Sequence, residues 1–256
     1  LAQAAWVAGK SEEAEVSGLA ASSGYIRTLW IRYFERAGLL AYQNADPIIS
    51  LYEGNRARQI RDGAEAALTQ VIPNGIALSD WQRVRAQRGE GIAPVAGLIG
   101  RVVPIKDVKT FLRAVRSVVS DIPEFEAWIV GPEDEDPGYA QECHSLVSSL
   151  GLTGQVHFLG FRNIREIMPQ LGVMVLTSIS EAQPLVILEA WCAGTPVVST
   201  DVGSCRELIE GVGEQDRALG MAGEVVPIAD PQATAMAIQR LLQDPERWHA
   251  AQRAGE

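Results

Sequence analysis

Ser180 to Thr200 reads SEAQPLVILEAWCAGTPVVST, and the fold of the chain turns on how this stretch must be built. Two carboxylates, Glu181 and Glu189, stand with seven residues between them. Pro184 suits the first turn of a helix, where its missing N–H would have no partner anyway. Gly194 suits the position just past a helix end, and Pro196 blocks continuation. The spacing predicts a loop carrying Glu181, a helix from about Pro184 to Ala193, and a strand over Val197 to Ser199. Between Leu185 and Cys192 only Glu189 is polar, so the helix is expected to be buried. A carboxylate in such a helix is costly unless something neutralises it or hydrogen-bonds to it. Glu189 therefore reads either as a structural acid paired with an arginine or as a ligand-binding group.

Working outward, strand candidates recur at Pro94 to Ile99, Glu126 to Val130, Val156 to Leu159, Val173 to Leu176, Val197 to Ser199 and Glu224 to Val226. Helical stretches lie between or after them at Val108 to Val119, Tyr139 to Leu150, Ile164 to Gln170, Ser204 to Glu210 and Pro231 to Gln243. Strand alternating with helix predicts a parallel sheet covered on both faces, a doubly wound α/β domain. Upstream, Leu1 to about Tyr42 reads mostly helical. Ile48 to Leu51 and Val71-Ile72 are short strands, with a helix from an Asn55 N-cap to about Asp62 between them. Pro73-Asn74-Gly75 is turn chemistry, and a domain boundary is expected there. Residues 1–74 look like the tail end of one domain and 75–256 like a second one. Ile76 to Gly91 carries no readable pattern.

Composition narrows the classes. The 256 residues are 47% hydrophobic and 21% charged, an ordinary globular balance. A formal net charge of −10 argues against nucleic acid or an anionic membrane as a partner. No stretch approaches the ~18 consecutive apolar residues of a membrane span. Leu1 to Lys10 lacks the basic n-region of a signal peptide, so a cytoplasmic protein is expected. Cys143, Cys192 and Cys205, with His144, His157 and His249, are too scattered for a metal site, and none is expected.

In doubly wound folds ligands bind beyond the carboxyl ends of the strands. Gly100 and Arg101 follow the first strand of the regular region, with Lys106 five residues on, before a helix. Two cations and a helix N-terminus make a sensible anion clamp. Gly131 follows the second strand, Phe161 and Arg162 the third, Ser178 to Gln183 the fourth, and Thr200 to Gly203 the fifth. Singly, each of these has a plain reading: a solvated ion pair, a turn glycine, a solvent-facing acid at Glu181. Their coincidence at five strand ends favours a site. No dinucleotide glycine fingerprint and no phosphate-loop lysine motif follows a strand.

Together, Glu181, Glu189, Ala193 to Val198, Gly100-Arg101 with Lys106, and Pro73-Asn74-Gly75 resemble retaining nucleotide-sugar glycosyltransferases of the GT-B, family-4-like kind. Sucrose synthase and bacterial exopolysaccharide transferases belong to that broad group. The run EAQPLVILEAWCAGTPVVSTDVGSCREL is closer still to the PelF-type transferases of the Pel system. The resemblance implies a Rossmann-like donor domain preceded by the tail of a second Rossmann-like, acceptor-side domain, so that the chain is a fragment. It implies a UDP-sugar co-substrate, with no metal or other cofactor. The acceptor would be a polysaccharide, and the resemblance admits a membrane-embedded export complex as a further partner. Arg101 and Lys106 would hold the diphosphate, and Glu189 the ribose hydroxyls. Glu181 would face the donor sugar, with the backbone of Gln183, Pro184, Leu185 and Val186 holding sugar and phosphate. Phe161 and Arg162 would lie by the base, with Gly100 and Gly131 lining the cleft. A nucleotide-sugar epimerase or phosphorylase of the same architecture, or a non-catalytic donor-binding scaffold, remains the alternative.

Overall fold

A computed structural model describes residues 23–256. The helical expectation for Leu1 to Tyr42 lies outside the described residues as far as residue 22. The chain divides into two compact units, Leu1–Asn74 and Gly75–Glu256.

The first unit contains α1 (Ser23–Gln43), β1 (Ile48–Ser50), α2 (Glu53–Arg61) and β2 (Thr69–Val71). β1 and β2 pair in parallel, Ile48 opposite Thr69, so α2 is the crossover of a small β-α-β unit. Asn55 does not cap α2. Tyr52 stands at the N-cap and Asn55 lies inside the helix, its amide donating to Ser50 Oγ at 3.0 Å. The side chain that looked like a cap ties the helix to the preceding strand instead.

The second unit is a six-stranded parallel sheet. Its strands are β3 (Val95–Ile99), β4 (Glu126–Val130), β5 (Val156–Gly160), β6 (Val173–Leu176), β7 (Val197–Thr200) and β8 (Gly223–Val226). The spatial order is β5-β4-β3-β6-β7-β8. From β3 the chain builds outward to β5, then returns to place β6 on the other side of β3. Strand order therefore reverses between β3 and β6, which opens a crevice beyond their carboxyl ends.

Both sheet faces are covered, as the nearly continuous apolar strands require. On one face lie α4 (Val108–Asp121), α5 (Pro137–Ser149), α10 (Pro231–Gln243) and α11 (Pro245–Ala254). Phe111, Leu112, Cys143, Ile238 and Trp248 are buried there against Ala96, Leu98 and Ile129. Losing a side chain such as Phe111 would cost about 3–5 kcal/mol. On the other face lie α3 (Leu78–Arg85), α6 (Ile164–Ile167), α7 (Leu185–Cys192) and α8 (Cys205–Glu210). Trp81, Ile187, Trp191 and Ile209 fill that layer. A further short helix, α9 (Gly213–Arg217), follows α8. α3 forms from the stretch that carried no readable pattern. α11 was not expected either, although Asp244 caps it by accepting from Arg247 N and Pro245 opens it.

α7 corrects two expectations. Pro184 is its N-cap, with φ −75° and ψ 119°, rather than part of its first turn. The helix is not buried all round: Ile187, Ala190 and Trp191 face the core, but Leu185 is 45% exposed. The apolar outer face is what a sequence pattern alone cannot tell from a core face. Its end is as expected. Gly194 N donates to Trp191 O and Thr195 N to Ala190 O, which satisfies two carbonyls of the last turn.

Candidate active site

The loops after β3 and β6 are joined at three points across the switch crevice. Ile179 N donates to Ile105 O at 2.9 Å. Thr177 Oγ1 stands 3.0 Å from the carbonyl oxygens of both Lys106 and Asp107. Lys106 Nζ donates to Glu181 Oε1 at 2.6 Å. The Thr177 bonds matter because Asp107 has φ 44°, a left-handed conformation that a non-glycine residue adopts at a cost. Asp107 also caps α4, accepting from Thr110 N. The strained turn is thus held from both sides, and it fixes where Lys106 leaves the backbone.

Lys106 and Glu181 are mostly shielded, with side chains 21% and 15% exposed. Glu181 is not a solvent-facing loop acid. Its loop is gripped from β7: Thr200 Oγ1 donates to Ser178 O at 2.6 Å, and Ser204 N donates to Ala182 O at 2.9 Å. Gly203, with φ +56°, presses on the same segment. A Cβ there would meet Ala182 O at 2.3 Å and Glu181 O at 2.5 Å. Only glycine allows this approach.

The ends of β3 and β4 meet equally closely. A Cβ on Gly131 would lie 2.0 Å from Gly100 O, and Gly100 N donates to Val130 O at 2.9 Å. Arg101 projects from this junction and pairs with Glu135, in the loop after β4, at 2.5 Å. Arg101 and Lys106 are therefore not a bare cation pair. Each holds a carboxylate of the same chain.

Glu189 lies in α7 and is half-buried. Burial raises its carboxyl pKa above the ordinary value, and the charge of Arg165 only partly opposes this. Arg165 itself pairs with Asp80 at 2.8 Å and lies over the ring of Trp81. The Glu189 carboxylate makes no hydrogen bond or ion pair to a described residue, and Arg165 acts on it only as a nearby charge. The N-cap Pro184 makes no side-chain cap bond, which leaves the amides beyond it with the positive end of the helix. Pro184, Leu185 and Val186 sit at that end, just past the Glu181 loop, as does Gln183.

Phe161 is 86% exposed at the end of β5. Arg162 beside it turns back to donate to Leu159 O at 3.1 Å. These two stand at the sheet edge, linked to the centre by Gly131 N donating to Gly160 O. Sequence reading missed Asp107, Thr177 and Glu135. Asp107 carries a legible cap signal just before the α4 pattern. Thr177 and Glu135 act through contacts 70 and 34 residues away along the chain. Among the described residues, no group of three or more His, Cys, Asp or Glu could hold a metal ion. No helix among them is long and apolar enough to cross a membrane.

Chemically, this edge offers two cations and an uncapped helix N-terminus for an anion. It also offers a shielded carboxylate on Lys106 and a half-buried carboxylate that, among the described residues, has no hydrogen-bonding partner and is suited to hydroxyl groups.

Known proteins share this fold. The model of the family Glycosyl transferases group 1 matches residues 93–244, more than half of the chain. Residues 1–67 match a domain of unknown function, DUF3492. HepE of Anabaena, solved in complex with UDP and glucose, aligns with a TM-score of 0.71 at 28% identity, covering 88% of this chain and 61% of HepE. Its complex with UDP-glucose aligns at 0.72 and 27% identity, covering 88% and 62%. The lipopolysaccharide core biosynthesis glycosyltransferase LpsE of Rhizobium meliloti is 31% identical over 153 residues, 59% of this chain and 40% of LpsE. A D-inositol 3-phosphate glycosyltransferase of Geodermatophilus obscurus is 29% identical over 204 residues, 73% of this chain and 44% of that protein. The chain thus spans less than half the length of these two curated relatives. With its parallel sheet, its switch crevice and more than half of its length matched, the chain belongs to the Glycosyl transferases group 1 family.

Proposed function

We propose that this chain serves a retaining hexosyl transfer from a UDP-sugar, UDP-glucose or a UDP-N-acetylhexosamine, to a growing exopolysaccharide. Residues 75–256 are the donor-binding domain and residues 1–74 the C-terminal portion of the acceptor-side domain. The observation that carries the reading is the Lys106–Glu181 pair at the β3/β6 switch point, in a fold whose relative HepE binds UDP and UDP-glucose.

Arg101 and Lys106 meet the diphosphate charge, aided by the N-terminus of α7 and the amides from Gln183 to Val186. No divalent metal is required for that neutralisation. The ribose hydroxyls donate to Glu189, which gives the unpartnered carboxylate its hydrogen bonds. Phe161 and Arg162 lie towards the base, and Gly100 and Gly131 let the nucleotide approach the backbone. Glu181 accepts from hydroxyls of the donor sugar. In the transfer step the acceptor oxygen bonds to the anomeric carbon on the face from which the phosphate leaves. The bond to the β-phosphate oxygen breaks, and that oxygen takes the acceptor hydroxyl proton. The cations stabilise the charge that develops on the leaving UDP, the term that usually dominates.

The wording of the Glu181-to-Leu208 stretch supports a PelF-type role in Pel exopolysaccharide assembly and hence in biofilm. A UDP-sugar donor goes with a cytoplasmic site, the chain being held at the inner membrane through an export complex. The reading is tested by calorimetric titration of the chain with UDP, ADP and GDP without added metal. UDP binding that is lost in Glu189→Ala is expected; absence of UDP binding, or binding indifferent to Glu189, overturns it.

A further inference from the structure

Both cations assigned above to the diphosphate are held by carboxylates of the same chain, and only one of these carboxylates has a role so far. Glu181, on Lys106, belongs to the sugar position. Glu135, on Arg101, has none. One terminal nitrogen of Arg101 lies 2.6 Å from Glu135 Oε1 and 2.5 Å from Oε2. A guanidinium nitrogen seated between two anionic oxygens is the contact that a phosphate group would make.

The loop that carries Glu135 is pinned at both ends. Val102 N donates to Pro132 O at 2.9 Å, and Asp136 caps α5 by accepting from Tyr139 N at 3.0 Å. The carboxylate is thereby kept within reach of Arg101. Glu135 makes no other hydrogen bond or ion pair to a described residue. Both side chains are about half exposed, 51% and 50%, so the pair adds little to stability and exchanges easily.

We infer that Glu135 is a built-in competitor of the diphosphate: it occupies Arg101 in the free protein, and an incoming nucleotide must displace it. This rests on the placement of Arg101 in the diphosphate site. Glu135 then weakens every ligand that binds through Arg101 and leaves untouched a ligand without phosphate. When UDP departs after transfer, the carboxylate returns to Arg101 and favours release.

The test is calorimetry on the 256-residue chain at low ionic strength, with UDP and uridine as ligands. Glu135→Gln keeps the side chain's shape and removes its charge. UDP is expected to bind about two- to fivefold tighter to this variant, the range set by a half-exposed pair, while uridine affinity stays the same. The gain should vanish in the Arg101→Ala background. Asp134→Asn, which neutralises an exposed neighbour, should change UDP affinity far less. Unchanged or weaker UDP binding in Glu135→Gln, with Arg101→Ala clearly weakened, overturns the role of Glu135 alone. An equal gain in the Arg101→Ala background also overturns it, because the effect is then a general field. If Arg101→Ala leaves UDP affinity unaltered, or the chain binds no UDP, the placement of Arg101 fails and the competitor role with it.

Discussion

Lys106 Nζ and Glu181 Oε1 stand 2.6 Å apart across the reversal of strand order, although 75 residues separate them in the chain. In the proposed site this ion pair would couple the diphosphate position, at Lys106, to the sugar position, at Glu181. Lys106→Ala should weaken UDP binding by roughly 1–3 kcal/mol through the lost charge-assisted bond. Glu181→Gln should not weaken UDP binding, since Lys106 is freed from its carboxylate, yet it should slow sugar transfer by about tenfold or more. Titration and transfer rates on the two variants separate these effects; a large loss of UDP affinity in Glu181→Gln would count against the division of roles.

Glu189 should cost the free protein stability. Its folded-state pKa is raised by burial, so the folded chain holds the proton more tightly than the unfolded chain. That contribution is fully present below the ordinary carboxylate value of about 4.3 and is lost as pH rises through the raised value. Glu189→Gln should therefore raise the melting temperature at neutral pH by about 1–3 °C and by less in acid. The same variant should bind UDP more weakly. A melting temperature that falls at neutral pH would show that the carboxylate is satisfied within the protein.

Gly203 presses on the backbone of Glu181 and Ala182 with no room for a Cβ. Gly203→Ala should displace the Glu181 loop and cost about 1–3 kcal/mol of stability. Transfer should fall more than UDP affinity, because Arg101 lies on a different loop. Equal losses in both would point to general unfolding of the strand ends.

Removal of divalent metal should leave UDP affinity unchanged within about twofold, since in the proposed site Arg101, Lys106 and the α7 N-terminus would carry the charge. Titrations with and without chelator check this, and a requirement for magnesium would assign the diphosphate to a different set of groups.

Much of the fold is legible in the residues. β4 over Glu126–Val130, β6 over Val173–Leu176 and α10 over Pro231–Gln243 fall where apolar runs meet glycine, proline and capping signals. Parallel pairing follows from the alternation of strand and helix. α3 is hard to read because only a few of its residues, among them Trp81 and Val84, turn to the core from a polar segment. The helix carrying Glu189 is legible in its C-terminal stop but not in its exposure, because apolar residues on an exposed face look like core.

For the site, the strand-end residues are visible from spacing, whereas their partners are not. Nothing in the sequence pairs Arg101 with Glu135 or Lys106 with Glu181; those contacts exist only once β3, β4 and β6 lie side by side. The left-handed turn at Asp107, and Thr177 that holds it, likewise depend on tertiary contact.

The most direct measurement is a crystal structure of the chain with UDP. The account predicts the diphosphate beyond the ends of β3 and β6, within hydrogen-bond reach of Arg101 and Lys106, with Arg101 released from Glu135 and Glu189 on the ribose. A diphosphate elsewhere, with the Arg101–Glu135 and Lys106–Glu181 pairs undisturbed, would contradict it.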